Sequence, residues 1–342
     1  MKFTTLCIAS LGLVGAAGAA DQVKLDQAYT GTLPCADCAG IRTSIVFSQD
    51  SGGALSYRSE ETYLGTREGD RSYGSCGNAV ELGGTRLNPW AARMRIDPAF
   101  AESRRHFLVL SPTVIELVGA NGERAASMLD YKLVLERNAP RTKPVERRLF
   151  AGTLRRVLDR WELVQCGGPV LPAIDVSPES SLTAALTDIG LDRVESLYLE
   201  AFGRLRDGTV MLERLNRAGT EMRCADGKAR VPLWRASGNE PAWSVSDANG
   251  RLTITRPGVP TVVMGESGLA WRWRDGRADL ASAQVRAESE AGQFSATLTP
   301  RICRDTMADA VYGFRFEGRL IHDRKNLELK GCGWLGSELL PG

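Results

Sequence analysis

The sequence predicts an all-β chain of three small antiparallel, barrel-like domains with one short helix. Three observations carry that expectation. Apolar residues recur mostly at every second position, the spacing of a half-buried strand. The chain has 36 glycines, several in Asp-Gly and Asn-Gly pairs suited to tight hairpins. Its 342 residues, 43% hydrophobic and 25% charged, exceed one ordinary domain and have the composition of a folded protein.

The first twenty residues read as a secretory signal. Lys2 gives a positive start, residues 6–15 are apolar, and small residues 16–20 precede Asp21. That run is too short to span a bilayer, and no later window is long enough. Cys7 precedes most of the apolar run instead of following it, so no lipid anchor is expected. The mature chain is expected in the periplasm. A net charge of +2 with both signs interspersed gives no reason to expect nucleic acid or an anionic membrane as partner.

The first domain, 21–137, carries alternating segments at 29–33, 41–47, 55–64, 79–82, 107–110, 114–118 and 128–135. Seven or eight strands in this space suit a small barrel or sandwich. A short helix is expected within 89–103. Residues 138–148, with two prolines and four basic residues, read as a linker.

The second domain, 149–232, offers strands at 152–158, 161–166, 196–203, 210–214 and 221–224. A helix lies between the second and third, capped by Ser177 and stopped by Gly190, with Leu182, Ala185, Leu186 and Ile189 on one face. Five strands around one helix suit an OB-like barrel. The third domain, 233–342, offers strands at 252–255, 261–264, 269–273, 283–287, 294–299, 312–316 and 327–330.

Seven cysteines remain after the signal. In an exported chain the default is a disulfide, and an odd count leaves at least one thiol unpaired within the chain. Cys166 and Cys224 lie at strand edges of the second domain, and Cys303 and Cys332 bracket the last strands of the third. Each pair is expected to be bridged. Cys35 and Cys38 form a Cys-x-x-Cys motif. A strand follows it and no βαβ pattern surrounds it, which disfavours a thioredoxin-type site. Zinc wants four ligands, and the first domain adds only Cys76 and His106 without ligand spacing. Copper(I) accepts two or three soft thiolates, so Cys35, Cys38 and Cys76, if reduced, are candidate ligands. One structural bridge among the three plus a leftover thiol is the competing reading.

No Walker loop, Rossmann fingerprint, nucleophile elbow or HExxH motif is present, and the chain is not expected to be an enzyme. His106, beside Arg104 and Arg105, reads as a surface residue, and His322 as part of a turn. Trp234, Trp243, Trp271, Trp273 and Trp334 read as packed core, with Trp271 and Trp273 on one strand face. Arg204, Arg206, Arg272 and Arg274 alternate with apolar residues and read as outward-facing.

The segment Tyr29-x-Gly31-x-Leu33-Pro34-Cys35-Ala36-Asp37-Cys38-Ala39-Gly40-Ile41, then Thr43 and later Tyr63-Leu64-Gly65, resembles the N-terminal domain of the NlpE family. That resemblance implies a lipocalin-like barrel with Cys35 and Cys38 near one end. The NlpE proteins are outer-membrane lipoproteins linked to copper tolerance and Cpx signalling, so an envelope signalling or stress-response partner is implied. The second domain resembles that family's OB-type domain. The third is similar to a periplasmic β domain of HslJ-neighbouring type, through Gly238-Asn239-Glu240-Pro241-x-Trp243, Cys303-Arg304-Asp305-Thr306-Met307 and Leu329-Lys330-Gly331-Cys332. This chain departs from the NlpE lipoproteins in having no cysteine directly after the apolar run. The function expected is a non-enzymatic, periplasmic, envelope-stress or copper-responsive one. The alternative is a binding module for a small apolar ligand or cell-wall fragment.

Overall fold

The computed structural model describes residues 23–336, apart from 50–52, 84–91, 98, 137–147, 225–231, 249–250, 266, 278–280, 291 and 306. The signal segment and nearly all of the linker lie outside the described residues. The described chain is all-β with one short helix.

The first eight strands are β1 (Ala28–Leu33), β2 (Gly40–Gln49), β3 (Leu55–Thr66), β4 (Gly69–Leu82), β5 (Arg93–Ile96), β6 (Arg105–Ser111), β7 (Val114–Val118) and β8 (Lys132–Leu135). Each pairs antiparallel with the next, and β8 returns to β1. This is a closed eight-stranded barrel. Alternation sends Tyr29, Ile45, Phe47, Tyr57, Met94, Phe107, Ile115 and Leu133 inward, and they fill it as one apolar cluster. No helix forms among the described residues of 89–103. Arg93-Met94-Arg95-Ile96 alternates with period two and becomes β5 instead.

β4 is far longer than the expected segment at 79–82. Its first half escapes a hydrophobic reading because it is rich in Gly and Ser. The structure shows why small residues stand there. Both indoles Trp271 and Trp273 lie opposite this half, paired with Cys76 and Gly74 respectively. A Cβ on Gly74 would fall 1.9 Å from Trp273 ring atoms.

Next come β9 (Arg148–Val157), β10 (Arg160–Gln165), β11 (Val170–Asp175), α1 (Ser181–Asp188), β12 (Ser196–Arg206) and β13 (Thr209–Gly219). The pairing runs β9–β10–β11–β13–β12 and back to β9, with only β11–β13 parallel. The helix therefore follows the third strand, not the second. β11 contains Pro172 and exposed Val170 and Ile174, so it lacks a buried-strand signature. Residues 221–224 form no strand.

The helix packs Leu182, Ala185 and Leu186 into the second core cluster. Ser177 Oγ accepts from the Leu182 amide at 3.0 Å. Asp175 contributes a cap not anticipated from sequence: its Oδ2 accepts from the Thr183 amide at 2.8 Å and hydroxyl at 2.7 Å. Gly190, at φ +96, supplies the left-handed turn that ends the helix.

Nine further strands are β14 (Trp234–Asn239), β15 (Ala242–Ala248), β16 (Arg251–Arg256), β17 (Val259–Met264), β18 (Gly268–Arg274), β19 (Ser282–Ser289), β20 (Gly292–Asp305), β21 (Ala310–His322) and β22 (Lys325–Leu335). β14 and β15 were not expected. Pairing runs β17–β16–β15–β14–β22–β21–β20–β19–β18. The circuit does not close, because the second edge of β18 pairs with β4. Trp234, Trp243, Trp271 and Trp273 lie in a third buried cluster with Phe294, Phe314 and Phe316.

Strand pairing thus crosses between segments twice. β18 joins β4, and β13 joins β21 through Arg217, Ala218 and Gly219. At the second junction the fully buried Asn216 donates to Leu335 O at 2.8 Å, while its Oδ1 accepts from the Leu335 amide at 2.9 Å.

Candidate functional site

The Cys-x-x-Cys motif lies in the connection between β1 and β2, at one end of the barrel. Leu33, buried in the core, fixes the end of β1. Beyond it the loop rests on the β3–β4 hairpin: the Ala39 amide donates to Leu64 O at 2.9 Å. Gly65, at φ +63, sits at the irregularity in the β3–β4 register just before the hairpin turn, and its amide donates to Asp70 Oδ1 at 2.9 Å. The sequence pattern that couples Cys35-Ala36-Asp37-Cys38-Ala39 to Tyr63-Leu64-Gly65 therefore corresponds to direct contact.

Cys35 and Cys38 are bonded to each other, with their Cα atoms 5.3 Å apart. Both are half-buried, and Asp37 between them is exposed. The two sulfurs and an Asp37 oxygen lie within 4.8 Å of one another, a group that could hold a metal ion. As bridged sulfurs they are not thiolates, and a soft ion such as Cu(I) binds thiolate. Reduction by two electrons and two protons would release the two thiols. Asp37 would then add a hard oxygen beside two soft donors.

Cys76 does not join them. It pairs with Arg58 on β3, five ladder steps from Tyr63 at the motif's end, roughly 16 Å along the strands. Its side chain packs against the third core cluster, opposite Trp271. Burial pushes its thiol up to about 12, although Arg58 and Arg272 pull the other way. Cys76 is the one free cysteine among the described residues. The expected three-cysteine ligand set is not assembled.

The other four cysteines among the described residues form Cys166–Cys224 and Cys303–Cys332, with Cα separations of 5.5 and 5.4 Å.

The seam between β4 and β18 holds a cluster of charged, partly buried side chains. Arg272 is not outward-facing. Its register partner on β4 is Ser75, which places it on the barrel side of β18. Its guanidinium bonds the Asp97 carboxylate, donates to Ser103 Oγ at 2.9 Å and reaches Tyr57 Oη at 3.3 Å. Arg105 forms a two-pronged contact with Glu61 in the same cavity of about 130 Å³. Burial, reinforced by Asp97, drives the Tyr57 phenol well above its ordinary range. Sequence reading missed Asp97 and Ser103 because nothing local marks them as partners of a residue so distant in the chain.

This seam touches the motif end of the barrel. Tyr63 meets Tyr73 edge-to-face with centroids 5.5 Å apart, and the Arg274 guanidinium lies 5.7 Å from the Tyr73 ring centroid.

His106 is 7% exposed, which corrects its reading as a surface residue. β6 faces the core with Phe107 and Val109, and its other face is covered as well. His322 ends β21, and the turn that follows is Asp323-Arg324, both at positive φ. Arg204 is half-exposed and pairs with Glu213, as an outward position should.

Residues 29–127 match the family model described as the NlpE N-terminal domain. Lipoprotein NlpE of Escherichia coli (strain K12) is 38% identical over 69 residues, 20% of this chain and 28% of that protein. The match thus spans little more than a quarter of the length of the curated relative. The crystal structure of the Cpx pathway activator NlpE from Escherichia coli is 19% identical, covers 59% of this chain and 100% of that chain, and superposes with a TM-score of 0.23. It is through the first barrel, the one that carries Cys35 and Cys38, that this chain is distantly similar to the NlpE N-terminal domain family.

Proposed function

We propose that this is a non-enzymatic, periplasmic, envelope-stress or copper-responsive protein. In it, the redox state or Cu(I) loading of Cys35 and Cys38 alters how the first barrel meets an envelope signalling partner. The observation that carries the reading is the position of this pair: half-buried, at a barrel end, in the segment similar to the NlpE N-terminal domain.

Chain entropy supports it. A bridge across a sequence separation of 3 restricts the unfolded chain little, roughly 2 kcal/mol. The bridges at separations of 58 and 29 are each worth roughly 4 kcal/mol in the same treatment. The Cys35–Cys38 bond is therefore the one whose opening costs the fold least. Cys76, partly buried and distant, is left out of the ligand set.

The same reading takes the second segment as an OB-like barrel, supported by the pairing order β9–β10–β11–β13–β12 and by the helix between β11 and β12. The third segment as an HslJ-neighbouring domain rests on its sequence motifs. The apolar-ligand alternative gains no support from the first barrel, whose interior is filled by its own side chains.

The test is Cu(I) binding by the reduced protein, measured beside the Cys35→Ser, Cys38→Ser double variant. Binding with roughly one ion lost in the variant is the expected result. Equal binding removes the metal role. Unchanged capture of periplasmic partners by oxidised and reduced protein would remove the redox role.

A further inference from the structure

The outer face of β5 and β6 carries a concentration of cationic donors that the reading above does not use. Met94, Ile96, Phe107 and Val109 point into the barrel. Alternation therefore puts Arg93, Arg95 and His106 together on the opposite face. Arg95 and His106 are direct cross-strand partners, so their Cβ atoms are about 5 Å apart. Arg93 follows two residues along β5.

Arg93 and Arg95 are half-buried, and His106 is 93% buried, with Leu108 and Val118 beside it buried too. The connection after β7 reaches over this face, where Ala120 O accepts from Arg93 Nη1 at 3.2 Å. Yet Arg93 Nε, Arg95 Nε and His106 Nδ1 are all buried without a hydrogen-bond partner. Buried donors are ordinarily satisfied, and each exception needs an explanation.

The electrostatics point the same way. Burial first, then the charges of Arg93, Arg95 and Arg104, hold the His106 imidazole below its ordinary range. No carboxylate contributes to that shift. Two acids lie near this region: Glu116 on β7, which Arg124 Nε engages at 2.8 Å, and Glu123 in the connection after β7, whose Oε1 accepts from Asn121 Nδ2 at 3.0 Å. The Glu116 carboxylate is thereby already paired with Arg124 and not with the arginines of β5.

We propose that Arg93, Arg95 and His106 form an oxyanion-binding site that takes a phosphate-type group. The donors belong to two guanidinium groups and an imidazole carried on two neighbouring strands. That suits a tetrahedral anion with several acceptor oxygens better than a planar carboxylate, which one guanidinium fork can satisfy. The phosphate belongs either to a free anion or to a phospholipid headgroup. A bound anion offsets the three cations around His106, so the imidazole takes up a proton on binding, and affinity rises as pH falls.

The chain has 2 histidines, so the imidazole NMR signals of the full-length protein can be followed individually. Titration with inorganic phosphate is expected to raise the pKa of His106 and leave His322 unmoved. Phosphatidylglycerol vesicles, set against phosphatidylcholine vesicles, test the headgroup source. A response to free phosphate assigns the site to a soluble anion, and one to anionic vesicles alone assigns it to lipid. Arg95→Lys retains the charge and removes Nε, and should weaken binding by about tenfold or more. Arg93→Gln provides the second variant. The proposal is overturned if His106 responds to neither phosphate nor anionic vesicles, or if both variants bind as the unsubstituted protein does.

Discussion

Arg272 of β18 sets its guanidinium against the buried carboxylate of Asp97, 175 residues earlier in the chain. The contact fastens the third segment to the wall of the first barrel. Asp97 is 2% exposed, so its charge depends on this partner and not on water.

Arg272→Ala should accordingly destabilise the chain by about 3–5 kcal/mol, mostly by stranding Asp97. Asp97 sits at φ +48, which Asn tolerates, so Asp97→Asn is the suitable second variant. The double variant should lose clearly less than the two single losses added together. Urea denaturation of all four proteins measures the coupling, and strict additivity would show that the two groups act independently.

Gly74 has to remain without a side chain for β18 to pair with β4. Gly74→Ala drives a methyl into the Trp273 indole and should cost about 1–3 kcal/mol. Tryptophan emission would shift as Trp273, now 4% exposed, is displaced. Unchanged emission and stability would mean that the seam is looser than the contact implies.

Cys76 offers a probe of the same seam. With its thiol pushed up to about 12 from an ordinary 9.0, ionisation alone slows its reaction with thiol reagents roughly 1000-fold at pH 8. Cys76 should therefore be almost unreactive in the native chain and become reactive after denaturation. Arg272→Ala should speed labelling by opening the cover over β4. Fast labelling of the native protein would contradict the burial described.

Asp175 gives the helix a pH dependence whose sign follows from its contacts. Burial raises its pKa, but hydrogen bonds from Ser177 and Thr183 together outweigh burial and hold it below the ordinary value. A carboxyl depressed in the folded state contributes stability above its unfolded pKa of about 4, and that contribution is lost as pH falls through the folded value. Asp175→Ala should cost about 1 kcal/mol at pH 7 and progressively less toward pH 3. Urea midpoints across that range check it. A cost that does not change with pH would assign the effect to packing.

Much of this molecule is legible in its sequence, element by element. Period-two alternation marks 41–47, 114–118 and 294–299 as strands, and the structure has strands there. Ser177, Leu182, Leu186 and Gly190 mark the helix and both its ends. The Cys-x-x-Cys segment announces its own site, because the loop and the Tyr63-Leu64-Gly65 hairpin that supports it are both short local patterns.

What escaped sequence reading has one physical cause. Alternation tells which face of a strand is covered, but a strand's edge partner comes from any distance along the chain. The glycines and serines of β4 look like loop until β18 lies beside them with two indoles. Arg272 reads as solvated until Asp97 faces it, and His106 reads as exposed until β5 and β7 flank it. The sequence by itself determined that the chain forms strands, one helix and a cysteine loop. Only the tertiary structure decided which edges meet and which charges they bury, because burial is a property of neighbours and not of the residue that undergoes it.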